Sequence, residues 1–359
     1  MTDRLKTLLH SEAETLDVPP VPATEILGSG RRLRRRRTRT LWVSAALAVA
    51  VIAGGTVVAG ARGDGHDPAP PVTATPSLMA WAGADTVYVG SHGRRAQMPE
   101  VAQTLYYTSA GVLVRTNKDG ASDGGAPFHF QLVREDGVAT KLDLTLGEVV
   151  PSTDPAQPYL AWATMTDGKI QVVVRDVSTD RDVATVDVPG TFTWGGWEAP
   201  PVSLSGDQVY VATDDRAEVV DWRTGQTHPS DVVPGSTYLT VNGGHVLTQG
   251  NAVEVLDADS GKVLLHLDTS ADSAELSPDG RFAVVSRAGQ DQLYDLETGA
   301  TSRVPLSSYG WSSNSTHVFG VQGSTLTTCS TSTGDCHDTS VPPVGGNTLV
   351  RYAGRAFES

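Results

Sequence analysis

The sequence predicts an all-β fold, a seven-bladed β-propeller, preceded by a single membrane-spanning helix. Three observations carry that expectation. A turn motif ending in Gly or Asp recurs along the chain at Gly137, Asp180, Gly225, Gly261, Gly299 and Gly334, with spacings of 43, 45, 36, 38 and 35 residues. Runs of four to seven residues rich in Val, Leu, Tyr and Thr alternate with Gly/Asp/Ser/Pro turns from residue 78 onward, and no amphipathic stretch of helical length interrupts them. Upstream lies one uncharged run of 21 residues, 41–61. A period of 35–45 residues holding four short strands is the signature of a propeller blade.

The chain has 359 residues, with 27 Lys+Arg against 41 Asp+Glu, a formal charge of −14. The charge is divided unevenly. Residues 1–61 hold nine Lys/Arg and five Asp/Glu, a balance of +4, so the remainder carries −18. An acidic outer part lacks the basic face that nucleic acid requires, and no nucleic-acid partner is expected.

The N-terminal 40 residues read as a cytoplasmic tail. Leu5, Leu8, Leu9, Ala13 and Leu16 make one apolar helical face, and Pro19, Pro20 and Pro22 end it. Such a segment docks a partner as a helix, or is a marginal helix that lies on the membrane or stays disordered. A basic run follows: Arg31, Arg32, Arg34, Arg35, Arg36, Arg37 and Arg39. It precedes LWVSAALAVAVIAGGTVVAGA (41–61), which as a helix spans roughly 31 Å, about the hydrocarbon thickness of a bilayer. Only Arg62 flanks the other side closely, so the excess of arginine places the N-terminus in the cytoplasm and the large part outside. The same arginines suit anionic headgroups on the inner face. Ala59-Gly60-Ala61 fits a cleavage site, but the apolar run exceeds a signal-peptide core, which favours an uncleaved anchor. Residues 62–77 form a Pro-rich linker.

The domain 78–359 contains six complete hairpin units, near 105–146, 158–190, 202–233, 238–269, 273–306 and 308–341. Their hairpins include VVDWRTGQ (219–226), VEVLDADSGKVLLHLD (253–268) and QLYDLETGATSRVPL (292–306). The Asp or Ser side chain caps the turn backbone and Gly supplies positive φ. A second element, Ser277-Pro278-Asp279-Gly280 entering the apolar strand Phe282–Ser286, recurs more weakly at Ser205-Gly206-Asp207. Strands over Thr86–Gly90 and Arg94–Met98 and a strand over Thr348–Ala353 remain. Together they make a seventh blade that joins the chain ends and removes the open sheet edge; six blades is the alternative.

The S-P-D-G turn and the D-x-x-T-G hairpin resemble those of TolB-type and WD-repeat-like propellers, over residues 78–359. The whole plan, with its tail, arginine run, span and outer propeller, resembles membrane-anchored propeller proteins of high-GC Gram-positive bacteria. The resemblance implies a fold and leaves the activity open.

Candidate chemistry is sparse. Cys329 and Cys336 flank the last hairpin turn, where adjacent antiparallel strands come within bonding reach. An oxidising compartment makes them a structural disulfide. Trp194-Gly195-Gly196-Trp197-Glu198 lies in a long connection between the second and third units. Trp194, Trp197 and Glu198 form a candidate binding loop; alternatively both rings pack between blades. No G-x-S-x-G elbow, sialidase Asp box, quinoprotein Trp or zinc spacing occurs, and Asp257-Ala258-Asp259 lacks the later Glu of a calcium loop. No catalytic residue, cofactor or metal is therefore assigned. The expected function is a non-catalytic binding module facing a protein, peptide or cell-envelope glycan. The alternatives are a channel-site enzyme of lactonase, cyclase or glycan-cleaving type, and a signalling protein that docks through its tail.

Overall fold

Twenty-eight strands and no helix make up the residues described by the computed structural model, which are 77–122, 125–193, 196–235, 239–344 and 349–355. They all fall within the unit Pro70–Ser359. The tail, the arginine run, the apolar segment 41–61 and nearly all of the linker lie outside the described residues.

The strands assemble into seven four-stranded antiparallel sheets. β1 (Ala80–Gly83), β2 (Thr86–Val89) and β3 (Arg94–Gln97) begin blade 1. Blade 2 is β4 (Val101–Thr108), β5 (Gly111–Asn117), β6 (Phe128–Val133) and β7 (Ala139–Leu146). Blade 3 is β8 (Ser152–Thr153), β9 (Tyr159–Thr166), β10 (Lys169–Asp176) and β11 (Arg181–Val188). Blade 4 is β12 (Val202–Ser205), β13 (Gln208–Ala212), β14 (Ala217–Asp221) and β15 (Gln226–Pro229). Blade 5 is β16 (Val241–Asn242), β17 (His245–Gln249), β18 (Val253–Asp257) and β19 (Val263–Leu267). Blade 6 is β20 (Ser273–Leu276), β21 (Phe282–Arg287), β22 (Gln290–Asp295) and β23 (Thr301–Arg303). Blade 7 is β24 (Gly310–Trp311), β25 (His317–Gln322), β26 (Thr325–Ser330) and β27 (Cys336–Ser340). The last strand, β28 (Val350–Tyr352), returns to pair with β1 in the register Trp81↔Tyr352, Ala82↔Arg351 and Gly83↔Val350. Blade 1 thus takes three strands from the start of the array and its innermost strand from the end.

The count is seven, and the six-bladed alternative is excluded. The closing blade has one more N-terminal strand than the sequence suggests, because Ala80-Trp81-Ala82-Gly83 forms β1. Small residues flanking a single Trp give β1 little strand signature. All four residues of β1 are buried, and Trp81 stacks on Tyr88 at 5.5 Å and lies 6.1 Å from Phe319 of blade 7.

The middle strands carry continuous apolar runs because both of their faces are buried, which is the usual cause of such runs. In β13, Val209 and Val211 face one side and pack with blade 3, whereas Tyr210 and Ala212 pack with blade 5. In β21, Phe282 and Val284 pack toward blade 7, whereas Ala283 and Val285 pack toward blade 5. Apolar clusters of this kind join every neighbouring pair of blades, including 7 with 1 through Phe319, Leu326 and Val341 against Met79, Trp81 and Tyr88. The fourth strand of each complete blade is the exposed outer edge, as in β15, where no residue is buried.

The repeated turns work as their chemistry requires. Asp295 accepts from the backbone N–H groups of Glu297 and Thr298 at 3.0 and 3.1 Å, and Gly299 follows with φ +71°. Asp221 and Asp257 cap their hairpins the same way. Gly280 of the S-P-D-G turn has a stricter task. A Cβ there would lie 2.0 Å from the Asn242 carbonyl oxygen, so the turn of blade 6 touches that of blade 5 through bare backbone.

Candidate functional site

The first strands β4, β8, β12 and β16 pair on one side only, with β5, β9, β13 and β17. Their other edges turn to the axis of the ring, where a cavity of about 320 Å³ opens. It draws on five successive blades, 2 to 6, on the connections Glu148–Pro151 and Trp197–Pro201, and on Gly354 and Arg355 after β28.

The connection between blades 3 and 4 reaches this cavity because it is fixed at both ends. Asp214 holds the first end: it accepts from the Thr193 N–H at 2.9 Å and from the Thr191 hydroxyl at 3.0 Å. Those bonds, the Thr193 N–H bond foremost, keep the Asp214 carboxyl below its ordinary range. At the other end the Glu198 N–H donates to the Glu148 carbonyl at 2.8 Å. Trp197 between these anchors is half-buried and lines the cavity. The Glu198 side chain is exposed and lies over Gly147. Trp194 lies outside the described residues. The other outer tryptophans, Trp81, Trp162, Trp222 and Trp311, are core residues.

Charge at the cavity is largely committed within the protein. Arg355 pairs through Nε with Glu275 Oε2 at 2.9 Å, donates from Nη1 to the Tyr309 carbonyl at 3.2 Å, and stacks over the Tyr309 ring. Glu275, on inner strand β20, also accepts from Trp311 Nε1 at 3.2 Å. Burial pushes the Glu275 carboxyl upward, against the pull of Arg355 and of the bonds from Tyr309 and Trp311. Burial and the neighbouring Glu275 charge push the Tyr309 hydroxyl upward too. Glu148 Oε1 accepts from the Ala126 N–H at 3.0 Å. The Arg115 guanidinium is buried over Phe128, 3.6 Å from the ring centre.

The remaining polar groups are uncharged. Ser152 Oγ accepts from the Leu204 N–H at 2.9 Å, which leaves its proton to donate. Ser203 Oγ bridges to the backbone of Val241. The Thr153 and Thr240 hydroxyls line the cavity with no hydrogen bond among the described residues. Among the described residues no three His, Cys, Asp or Glu side chains converge as metal ligands do.

Cys329 and Cys336 are bonded, opposite one another across β26 and β27 on the rim of blade 7, remote in the fold from this cavity. The charged residues Glu275 and Arg355 escape sequence reasoning. A lone carboxylate in the buried strand Ser273–Leu276 is the one signal that marks Glu275.

No family model matches the sequence, and no curated protein matches it. Solved propellers do match its structure. AztD from Citrobacter koseri, solved in its apo form, is 13% identical over 77% of this chain and 97% of its own, with a TM-score of 0.47. TolB from Acinetobacter baumannii is 13% identical over 78% of this chain and 66% of its own, with a TM-score of 0.41. PorZ of Porphyromonas gingivalis, a surface component of a type-IX secretion system, is 14% identical over 75% of this chain and 37% of its own, with a TM-score of 0.48. The likeness is one of fold.

Proposed function

We propose that the protein is a non-catalytic binding module, an extracytoplasmic propeller held to the cell membrane by the segment 41–61, and that its ligand-binding surface is the axial cavity under Trp197. The cavity carries the proposal. It is concave, within the size range of small-ligand sites, and walled by several rigid strands. Trp197 stands at its wall on a connection anchored at both ends, and Tyr106 and Tyr107 of β4 line it too. The anchor follows from the 21 uncharged residues of 41–61 and the orientation from the arginines before them. The linker 62–77 separates membrane from propeller, and the ligand is a protein, peptide or glycan of the envelope. The disulfide agrees with an oxidising compartment.

Two measurements test this. Protease added to intact cells is expected to remove the propeller and spare the tail; digestion of the tail from outside reverses the orientation. A photo-cross-linking amino acid at position 197 is expected to trap an envelope component that the same group at the exposed rim position Val263 does not. Equal trapping at both positions rejects the cavity as the binding surface.

A further inference from the structure

Resting on the reading of the cavity as a binding site, we infer that its ligand is a short uncharged saccharide, one or two sugar rings in size. The inference follows from what the cavity still has to offer. A ligand carrying a net charge needs a counter-charge free to meet it. Arg355 is held by the buried carboxylate of Glu275, and Arg115 is buried over the Phe128 ring. Drawing Arg355 toward an anion would strand Glu275 without its partner in a desolvated position, which is costly. An ammonium ligand finds one carboxylate in the wall, Glu148, and one of its oxygens is taken by a backbone N–H.

Neutral hydrogen-bonding groups remain in number. The Thr153 and Thr240 hydroxyls have no partner among the described residues, and Ser152 keeps a donor. The inner edges of β8, β12 and β16 pair with no further strand. Their outward N–H groups at Leu204 and Val241 and the Val241 carbonyl are already met by Ser152 and Ser203, so the hydroxyls carry most of what is left for a ligand. Hydroxyl groups that both donate and accept suit such a mixed set, because either role can be met at each position. Trp197 adds the flat apolar face that a sugar ring, with C–H groups on its faces and hydroxyls at its rim, can lie against. A volume of about 320 Å³ is too small for a folded partner and accommodates one or two rings.

The test uses the full chain in a detergent without a sugar headgroup. The neutral probes are N-acetylglucosamine, its β-1,4 dimer, maltose and cellobiose; the contrasting probes are glucuronate, glucosamine and trialanine. Titration calorimetry and saturation-transfer NMR at up to about 10 mM are expected to show millimolar binding of a neutral saccharide. Trp197→Ala is expected to weaken it at least tenfold, and Thr240→Val severalfold without loss of the folded dispersion of the NMR spectrum. Binding of a charged probe or trialanine, dependent on Trp197, with no neutral saccharide bound, overturns the saccharide assignment and leaves the binding reading standing. Failure of every neutral probe overturns it as well. Neutral saccharide binding that is indifferent to both substitutions overturns the placement at this cavity.

Discussion

Arg355, three residues beyond the closing strand, lies 2.9 Å from the carboxylate of Glu275 on the inner strand of blade 6. The pair therefore ties the end of the array to a blade that is not its sheet partner. The Tyr107 ring lies close to Gly354, the residue before Arg355. The Tyr107 hydroxyl donates to the Trp311 carbonyl at 2.7 Å and accepts from the Ala80 N–H at 3.1 Å, so one side chain joins blades 2, 7 and 1. Burial pushes that hydroxyl's ionisation upward, and it stays a neutral donor.

Arg355→Ala is expected to cost about 3–5 kcal/mol, because it leaves a buried carboxylate without its cation. The lone Glu275 then has a folded-state pKa above its unfolded one. Its folded form binds the extra proton, so the deficit shrinks as pH falls through the folded value. Glu275→Gln is expected to be milder, since an amide oxygen still accepts from Trp311. Urea unfolding across the acid range measures both variants; a deficit in Arg355→Ala that does not shrink on acidification removes the pair from this role.

Gly280→Ala is expected to destabilise by more than about 2 kcal/mol. The added methyl would sit against the Asn242 carbonyl, and φ at Gly280 is +72°. Asn242 and Gly280 belong to different blades, so the damage is to their junction. Thermal unfolding detects it, and loss of fewer than a few degrees would show that the two turns can part freely.

Asp295→Ala removes the acceptor for two turn N–H groups and a partner of Arg281, which lies 3.2 Å away. The expected cost is about 1–2 kcal/mol. Partial burial raises the Asp295 pKa, but the bonds from Thr298 and Glu297 and the Arg281 charge more than offset this and hold it low. Asp257, held low chiefly by its bonds from Ser260, behaves alike. A carboxylate held low stabilises above its unfolded pKa and loses that contribution as pH falls through the folded one. Acid unfolding is therefore expected to begin below about pH 4. Asp295→Asn is expected to flatten that dependence, and an unchanged acid limb would contradict it.

His266 sits between Asp268 Oδ1, 2.7 Å from Nε2, and Glu254 Oε1, 2.9 Å from Nδ1. The Asp268 bond and then the Glu254 bond raise its pKa above 6.5. Its contribution is complete below the unfolded value and is lost as pH rises through the folded one. NMR titration is expected to place the His266 midpoint above 6.5, and the double change Glu254→Gln with Asp268→Asn to lower it. A midpoint in the unaltered chain that the double change does not move would discount the bonds.

Reduction of the Cys329–Cys336 bond is expected to lower stability by about 2 kcal/mol without changing the fold, since it closes a loop of only seven residues' separation. Denaturant midpoints with and without reductant check this. Loss of cooperative unfolding on reduction would give the bond a larger role than a staple on one hairpin.

Blade number and the pairing of the chain ends were legible in the sequence because they rest on local chemistry. Asp221 and Gly225, or Asp295 and Gly299, mark a turn wherever they occur, and turns at regular intervals count blades. The two-residue inner strands β8, β16 and β24 leave no such mark. The cavity is harder still. Thr104, Glu148, Trp197, Thr240 and Arg355 converge from across 252 positions of chain through ring closure alone. Trp197 was visible as an odd residue in a long connection, and nothing in its neighbourhood named its companions.

The pairing of Ala82 with Arg351 spans 269 positions, the full length of the array. Closing a flexible loop of that size costs about 5 kcal/mol of chain entropy beyond a constant, so the ring is expected to shut late in folding. Until it does, β1 presents an unpaired edge to any strand that meets it. A circular permutant of residues 77–355 alone, cut between Gln97 and Val101 with its old ends joined, would make each blade contiguous and turn that distant handshake into a neighbourly one.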